Sequence, residues 1–257
     1  MRIFGLIGFP LSHSFSKKYF TEKFSREGIT DASYELFPLQ TISLLPDLFR
    51  SQPHLRGLNV TIPYKQAVLP YLDQLHPAAA RIGAVNVIRI GENGSKTGYN
   101  SDYFGFTSSL FEWFSQVHKD GSVEDIIKQC KALVLGTGGA SKAVKAALED
   151  LQINYISVSR QPAQNQLSYD QLTEAILKEH TLIINTTPLG MSPDTQNFPP
   201  IPYQYLTTGH YLYDLVYNPE ETVFMQKGKD KGAFVLNGLP MLYGQAEKSW
   251  EIWNSNE

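Results

Sequence analysis

Ala132-Leu133-Val134-Leu135-Gly136-Thr137-Gly138-Gly139-Ala140-Ser141 is the most informative stretch of the chain. Four consecutive apolar residues read as a strand. They run directly into a glycine turn, and a helical pattern follows over 143–151. Gly136 suits a tight turn, and Gly138 lets the backbone approach a pyrophosphate. The helix N-terminus behind them offers unpaired N–H groups and a positive dipole end. The third glycine of the general dinucleotide fingerprint is replaced by Ser141, so that match is incomplete. An ordinary glycine-rich turn is the plainer reading, but the strand before it and the helix after it favour nucleotide binding.

The next strand, 155–158, ends in Ser159-Arg160-Gln161. An NAD site has Asp or Glu there for the ribose hydroxyls, and an NADP site has Arg for the 2′-phosphate. No acid is present and a base is, which points to NADP. The alternative for Arg160 is a solvated surface arginine.

Elsewhere in the chain, strands are expected at 2–8, 34–37, 58–62, 182–184, 211–215 and 233–236. Helices are expected at 14–27, 41–49, around 64–72, at 77–82, 104–114, 169–178 and 239–253, and from Pro219 to about Lys229. Segments 85–90 and 96–100 flank Gly91-Glu92-Asn93-Gly94 as a hairpin, and 117–129 reads as a polar junction. This alternation implies an α/β protein with mostly parallel sheets. Two α/β domains are expected, 1–103 plus 239–257 and a Rossmann-like doubly wound 104–238, with a cleft between them as a ligand site.

With 257 residues, 42% hydrophobic, 18% charged and a net charge of -3, the composition is that of a globular protein and offers no basic surface for nucleic acid or membrane. The single cysteine, Cys130, excludes an internal disulfide and reads as a small buried hydrophobe, and the six histidines show no metal-ligand spacing. The apolar start Ile3–Ile7 is too short for a signal peptide and is broken by Pro10, so a cytoplasmic location is expected.

Motifs along the chain occur in a fixed order. They are Ser12-His13-Ser14-Phe15-Ser16, Asn59-Val60-Thr61-Ile62-Pro63-Tyr64-Lys65, Gly83-Ala84-Val85-Asn86 and Asn100-Ser101-Asp102, then the 136–141 turn, Asn185-Thr186-Thr187, Tyr213-Asp214-Leu215-Val216-Tyr217 and Asn237-Gly238 with Gln245-Ala246. Together they resemble the shikimate dehydrogenase family over nearly the whole chain. The resemblance implies an N-terminal substrate-binding domain and an NADP-binding domain, with reversible reduction of 3-dehydroshikimate to shikimate.

It further implies roles at the matching positions. Ser14 and Ser16, helped by Tyr217, would hold the substrate carboxylate. Thr61, Asn86 and Gln245 would bind ring hydroxyls, with Asn59 on the same wall. Lys65 and Asp102 would flank the reacting C3 oxygen. Gly136, Gly138, Gly139 and Ala140 would take the pyrophosphate, and Ser159, Arg160 and Thr186 would line the cofactor site. Leu215 and Gly238 would meet the nicotinamide end. The chain departs from the family at Ser101, where Thr is usual, and at Gln161 and Gln164, where Thr and a second Arg are usual. One Arg fewer weakens the grip on the 2′-phosphate.

The chemistry suits these residue types. A carbonyl oxygen gains negative charge as a hydride arrives and needs a proton. A lysine ammonium can stabilise that charge and donate, and a neighbouring carboxylate favours the ammonium form. Each residue also has a plainer reading: an exposed helix lysine for Lys65, a helix cap for Asp102 and Ser14, turn residues for Asn59 and Asn86, a loop aromatic for Tyr217 and a solvated helix residue for Gln245. Their joint occurrence favours the site.

An NAD-preferring quinate/shikimate dehydrogenase shares nearly all these motifs, and the missing acid after Val158 argues against it. The methylene-tetrahydrofolate dehydrogenases are similar in build but carry Tyr where this chain has Thr61. A catalytically silent NADP-sensing module would lack Lys65 or Asp102. A monomer and a homodimer both remain open, because Trp250 and Trp253 suit a core or an interface equally.

Overall fold

A computed structural model describes residues 1–11 and 15–255, so the expectation for Ser14 lies outside the described residues. The chain folds as two units, Met1–Ser101 with Ala246–Glu257, and Asp102–Gln245.

The first unit runs β1 (Arg2–Gly8), α1 (Phe15–Arg26), β2 (Ala32–Pro38), α2 (Leu45–Ser51), β3 (Leu55–Val60), β4 (Gln74–Leu75), α3 (Pro77–Ile82), β5 (Val87–Ile90) and β6 (Lys96–Tyr99). The strands form one sheet in the order β2-β1-β3-β5-β6-β4. The β1 pairings and β4–β6 are parallel, while β3–β5 and β5–β6 are antiparallel. Alternation along the strands gives each face its own core. Ile7, Leu58, Val60 and Ile88 pack with Leu45 and Leu48 of α2 on one side. Phe4, Leu6 and Val87 pack with Tyr19, Phe20 and Phe24 of α1 and with Ile252 and Trp253 on the other. Trp253 is thus a core residue, with its indole N–H donating to the Ile88 carbonyl at 3.0 Å. Gly57 makes room for it, since a Cβ there would lie 2.3 Å from the indole.

The second unit adds α4 (Ser101–Val117), α5 (Val123–Gln129), β7 (Ala132–Leu135), α6 (Gly139–Asp150), β8 (Tyr155–Val158), β9 (Gln166–Leu167), α7 (Glu174–Glu179), β10 (Leu182–Asn185), β11 (Tyr211–Asp214), α8 (Val223–Lys229), β12 (Phe234–Leu236) and α9 (Leu239–Asn254), whose last residues return to the first unit. Its sheet order is β12-β11-β10-β7-β8-β9, parallel throughout. With β7 as the first strand of this sheet and β8 and β9 on one side of it, the chain then crosses to β10, β11 and β12 on the other. This is the doubly wound dinucleotide-binding arrangement, with its switch point between β7 and β10. All of Ala132–Leu135 is buried, because Ala132 and Val134 join the α4–α6 layer and Leu133 and Leu135 the α7–α8 layer.

Several expected elements are corrected. The strand placed at 58–62 is Leu55–Val60, because pairing with β1 fixes its register, and Ile62, before Pro63, is 74% exposed. No α-helix forms over 64–72. Pro70 cannot donate to Gln66 and would clash with it, leaving one 3₁₀ turn at Leu69–Tyr71. The expected helices at 41–49 and 169–178 each split into a 3₁₀ turn and a short helix, Leu45–Ser51 with Pro46 in its first turn and Glu174–Glu179 capped by Thr173. The junction at 117–129 contains α5, whose cap Ser122 accepts from the Asp125 N–H and whose first turn carries Glu124 and Asp125. Pro219 does not open a helix. Thr222 is the cap instead, its side chain accepting from the Met225 N–H, and α8 starts at Val223. Cys130 is buried and free.

Candidate functional site

In the first unit three motif segments converge at one end of the sheet. The Val60 N–H donates to the Asn86 carbonyl at 2.9 Å, Asn86 N–H to Tyr99 at 3.1 Å, and Val85 N–H to the Lys65 carbonyl at 2.7 Å. Thr61 extends beyond β3 with its N–H on the Ile7 carbonyl at 2.9 Å. Gly8 is required beside it, since a Cβ there would lie 2.4 Å from the Thr61 methyl. Lys65 is half-buried.

A buried polar network fixes the amides. Asn86 is 3% exposed; its Oδ1 accepts from the Ser101 N–H at 2.7 Å and its Nδ2 donates to Ser101 Oγ at 3.1 Å. Asn59 Oδ1 accepts from the Tyr34 hydroxyl at 2.8 Å, and its Nδ2 donates to Ser249 Oγ at 2.9 Å and to the Asn86 carbonyl at 3.4 Å. Ser249 and Ser101 hydroxyls meet at 3.4 Å, and Ser16 hydrogen-bonds the phenol of Tyr34, whose pKa burial raises. The structure therefore joins Ser16, Asn59 and Asn86 through Tyr34, Ser101 and Ser249. Both hydrogens of the Asn59 amide are held by the protein, so Asn59 orients its neighbours. Ser101, in place of Thr, keeps the hydroxyl the network needs. Tyr34 and Ser249 were missed in the sequence. Their only signals are a tyrosine on a strand and a serine on the buried stripe of the final helix, neither distinctive without its partner.

In the second unit Asp102 stands in the first turn of α4 and is 3% exposed. The helix begins at Ser101, so the cap position falls on Asn100 and capping does not account for Asp102. A carboxylate there gains from the positive helix end. The helices α4 and α9 cross at glycines. A Cβ on Gly105 would lie 2.5 Å from the Met241 carbonyl and 3.0 Å from the Gln245 N–H, and one on Gly244 3.3 Å from Gly105 Cα. Asp102 shares the Gly105 face of α4 at i, i+3, and Gln245 packs its backbone against Gly105. Tyr217 is 39% exposed in the loop after β11.

The remaining residues gather at the carboxyl ends of the parallel strands. Gly136 has φ +102°, and a Cβ would lie 2.8 Å from Thr187 Cγ2 and 2.9 Å from Thr186 Oγ1. Both conformation and space therefore demand glycine there. Gly138 and Gly139 meet nothing within 4 Å of a would-be Cβ, an open cradle at the start of α6. Ala140 follows in that helix's first turn. Ser141, the imperfect match, is fully buried and donates back to the Gly138 carbonyl at 2.6 Å, so it packs as a small residue.

Ser159 exchanges 3.2 Å hydrogen bonds with the backbone of Gln161, and this tight turn leaves Arg160 exposed. Thr137, Ser159, Arg160 and Gln161 line an open pocket of about 500 Å³. Thr137, the variable position between two glycines, was not singled out in the sequence. Leu215 and Gly238 are in contact, with a Gly238 Cβ placed 2.1 Å from the Leu215 carbonyl oxygen. An anion cradle at a helix start, an arginine at the next strand end and a switch-point position together fit a dinucleotide carrying an extra phosphate.

Residues 6–88 match the shikimate dehydrogenase substrate binding domain. The chain is 35% identical to the shikimate dehydrogenase (NADP(+)) of Desulforamulus reducens, an alignment covering 98% of this chain and 89% of the relative. It resembles the crystal structure of shikimate 5-dehydrogenase from Thermus thermophilus in complex with NADP(H) and shikimate, with a TM-score of 0.82, 30% identity and coverage of 99% and 94%. It also resembles shikimate 5-dehydrogenase from Listeria monocytogenes in complex with shikimate and NAD, with a TM-score of 0.84, 28% identity and coverage of 100% and 93%.

Proposed function

The chain belongs to the shikimate dehydrogenase family, and from that premise we propose that it reduces 3-dehydroshikimate to shikimate reversibly with NADPH. The observation that carries the cofactor half is the open glycine cradle at the start of α6, with Arg160 at the next strand end. NADPH, when bound, would supply the hydride to the substrate carbonyl.

The protein's own residues do the rest. Lys65 donates the proton that the C3 oxygen takes up, and its positive charge favours the oxygen as it becomes negative. Asp102 accepts a hydrogen bond from a ring hydroxyl. Asn86 and Thr61 bind ring hydroxyls. Asn86 is preset for this by Ser101, so its amide loses little freedom on binding. Asn59 lines the same wall and holds its shape. Ser14, Ser16 and Tyr217 take the carboxylate, and Gln245 another hydroxyl. Gly136, Gly138, Gly139 and Ala140 receive the pyrophosphate on backbone N–H groups, with Ser159, Arg160 and Thr186 beside it and Leu215 and Gly238 toward the nicotinamide.

A cytoplasmic location and a monomeric or homodimeric state belong to the same reading, and the mass in solution tests the second. Among the described residues no helix is long and apolar enough to cross a membrane.

The reading is tested by mixing the protein with 3-dehydroshikimate and NADPH and identifying shikimate as the product; no NADPH consumption would reject it. Arg160→Ala is expected to raise the KM for NADP⁺ by about 10–100-fold, the worth of one or two charge-assisted hydrogen bonds, and to leave that for NAD⁺ within about twofold. Equal effects on both cofactors would remove Arg160 from the 2′-phosphate. One specific feature favours a second reading, an NAD-using quinate/shikimate dehydrogenase: Gln164 stands where the family has a second Arg, so Arg160 carries the preference alone.

A further inference from the structure

Asp214, the last residue of β11, is completely buried, and burial pushes its carboxyl up to about 6. One oxygen accepts from Asn185 Nδ2 at 2.9 Å and from the Val216 N–H at 3.0 Å, and the other from the Thr222 hydroxyl at 2.5 Å. Asn185 and Thr222 are themselves buried. A carboxylate only accepts, so it can hold three converging donors at once, which no amide or hydroxyl can do. The consequences reach the site through Asn185. With Nδ2 committed to Asp214, its Oδ1 faces the Thr187 N–H at 3.0 Å and hydroxyl at 2.6 Å. Thr187 and Thr186 are the residues against which the Gly136 turn is packed. On the other side, the Val216 carbonyl accepts from the Gly238 N–H at 3.1 Å, and Gly238 lies on the Leu215 backbone.

We propose that Asp214 is a positioning residue for the nicotinamide half of the cofactor. By holding Asn185, Val216 and Thr222 together it sets the loops after β10 and β11, against which that half packs. The adenosine half, at Arg160 beyond β8, lies outside this hydrogen-bonded set. The inference rests on the proposed assignment of Leu215 and Gly238 to the nicotinamide end.

The test compares two ligands on the purified protein by calorimetry: NADP⁺, and adenosine 2′,5′-bisphosphate, which keeps the phosphate-bearing adenosine and lacks the nicotinamide. Asp214→Asn turns an amide donor toward groups that are themselves donors. It is expected to weaken NADP⁺ by about tenfold or more, the scale of a broken buried hydrogen-bond set, and to leave the bisphosphate within about twofold. Thr222→Val removes one donor and keeps the shape; it should show the same pattern more weakly, and it carries the test if Asp214→Asn does not fold. Equal weakening of both ligands, or no weakening of NADP⁺ in a folded variant, would overturn the proposal. Failure of the unaltered protein to bind the bisphosphate would overturn the nucleotide-site reading itself, and the proposal with it.

Discussion

Lys65→Ala should lower kcat by about 10²–10⁴, a loss of roughly 3–5 kcal/mol of transition-state stabilisation, while the KM for NADP⁺ changes by no more than about threefold. The size follows from the role. A positioned acid supplies the proton at the moment the oxygen becomes basic, and its charge acts on the transition state more than on the ground state. The position follows from the fold. Lys65 sits four residues beyond Thr61, and its carbonyl is tied at 2.7 Å to Val85, next to the preset amide of Asn86. Alanine removes the ammonium and leaves that backbone bond in place, so the variant should fold. Steady-state kinetics in both directions measures the effect. A folded variant keeping more than half of the original kcat would exclude Lys65 as the proton donor.

Asp102→Asn should lower kcat by about 10²–10³, with the substrate KM rising as well. The substitution preserves size, removes the charge and replaces one acceptor oxygen with an amide donor. In the first turn of α4 that charge also interacts with the positive helix end, so a stability loss of about 0.3–1 kcal/mol should accompany the kinetic effect. The two consequences separate the roles. A purely structural carboxylate would lower the melting temperature by a few degrees and leave kcat intact. Kinetics on the folded variant and a thermal melt of both proteins, measured together, decide between them. A kcat loss below about threefold would leave Asp102 with the helix alone.

The parts of the fold that could be read from the chain are those whose signals are local. The 132–135 strand, the glycine turn and the start of α6 follow one another directly, and each constrains the next. The Gly91–Gly94 hairpin is equally self-contained. Register and partner choice are set at a distance. The strand containing Asn59 begins at Leu55 only because β1 pairs there and Trp253 fills the space above Gly57. The same distance hid part of the site. Asn59 and Asn86 were recognisable from their motifs, but Tyr34, 25 residues away from Asn59, and Ser249, 190 away, carry no motif of their own. Asp214 was visible only as one letter of a longer string, because its three donors come from β10, its own loop and the cap of α8. Ser141 broke the fingerprint on paper and fits in space, since what the position requires is a small buried side chain rather than glycine itself.

The most direct measurement is the absorbance change at 340 nm with shikimate and with quinate, each supplied with NADP⁺ and with NAD⁺ at equal concentrations. Shikimate with NADP⁺ should give the highest kcat/KM of the four combinations. A higher value with quinate, or with NAD⁺ on either substrate, would contradict the account, and so would no reduction of either cofactor.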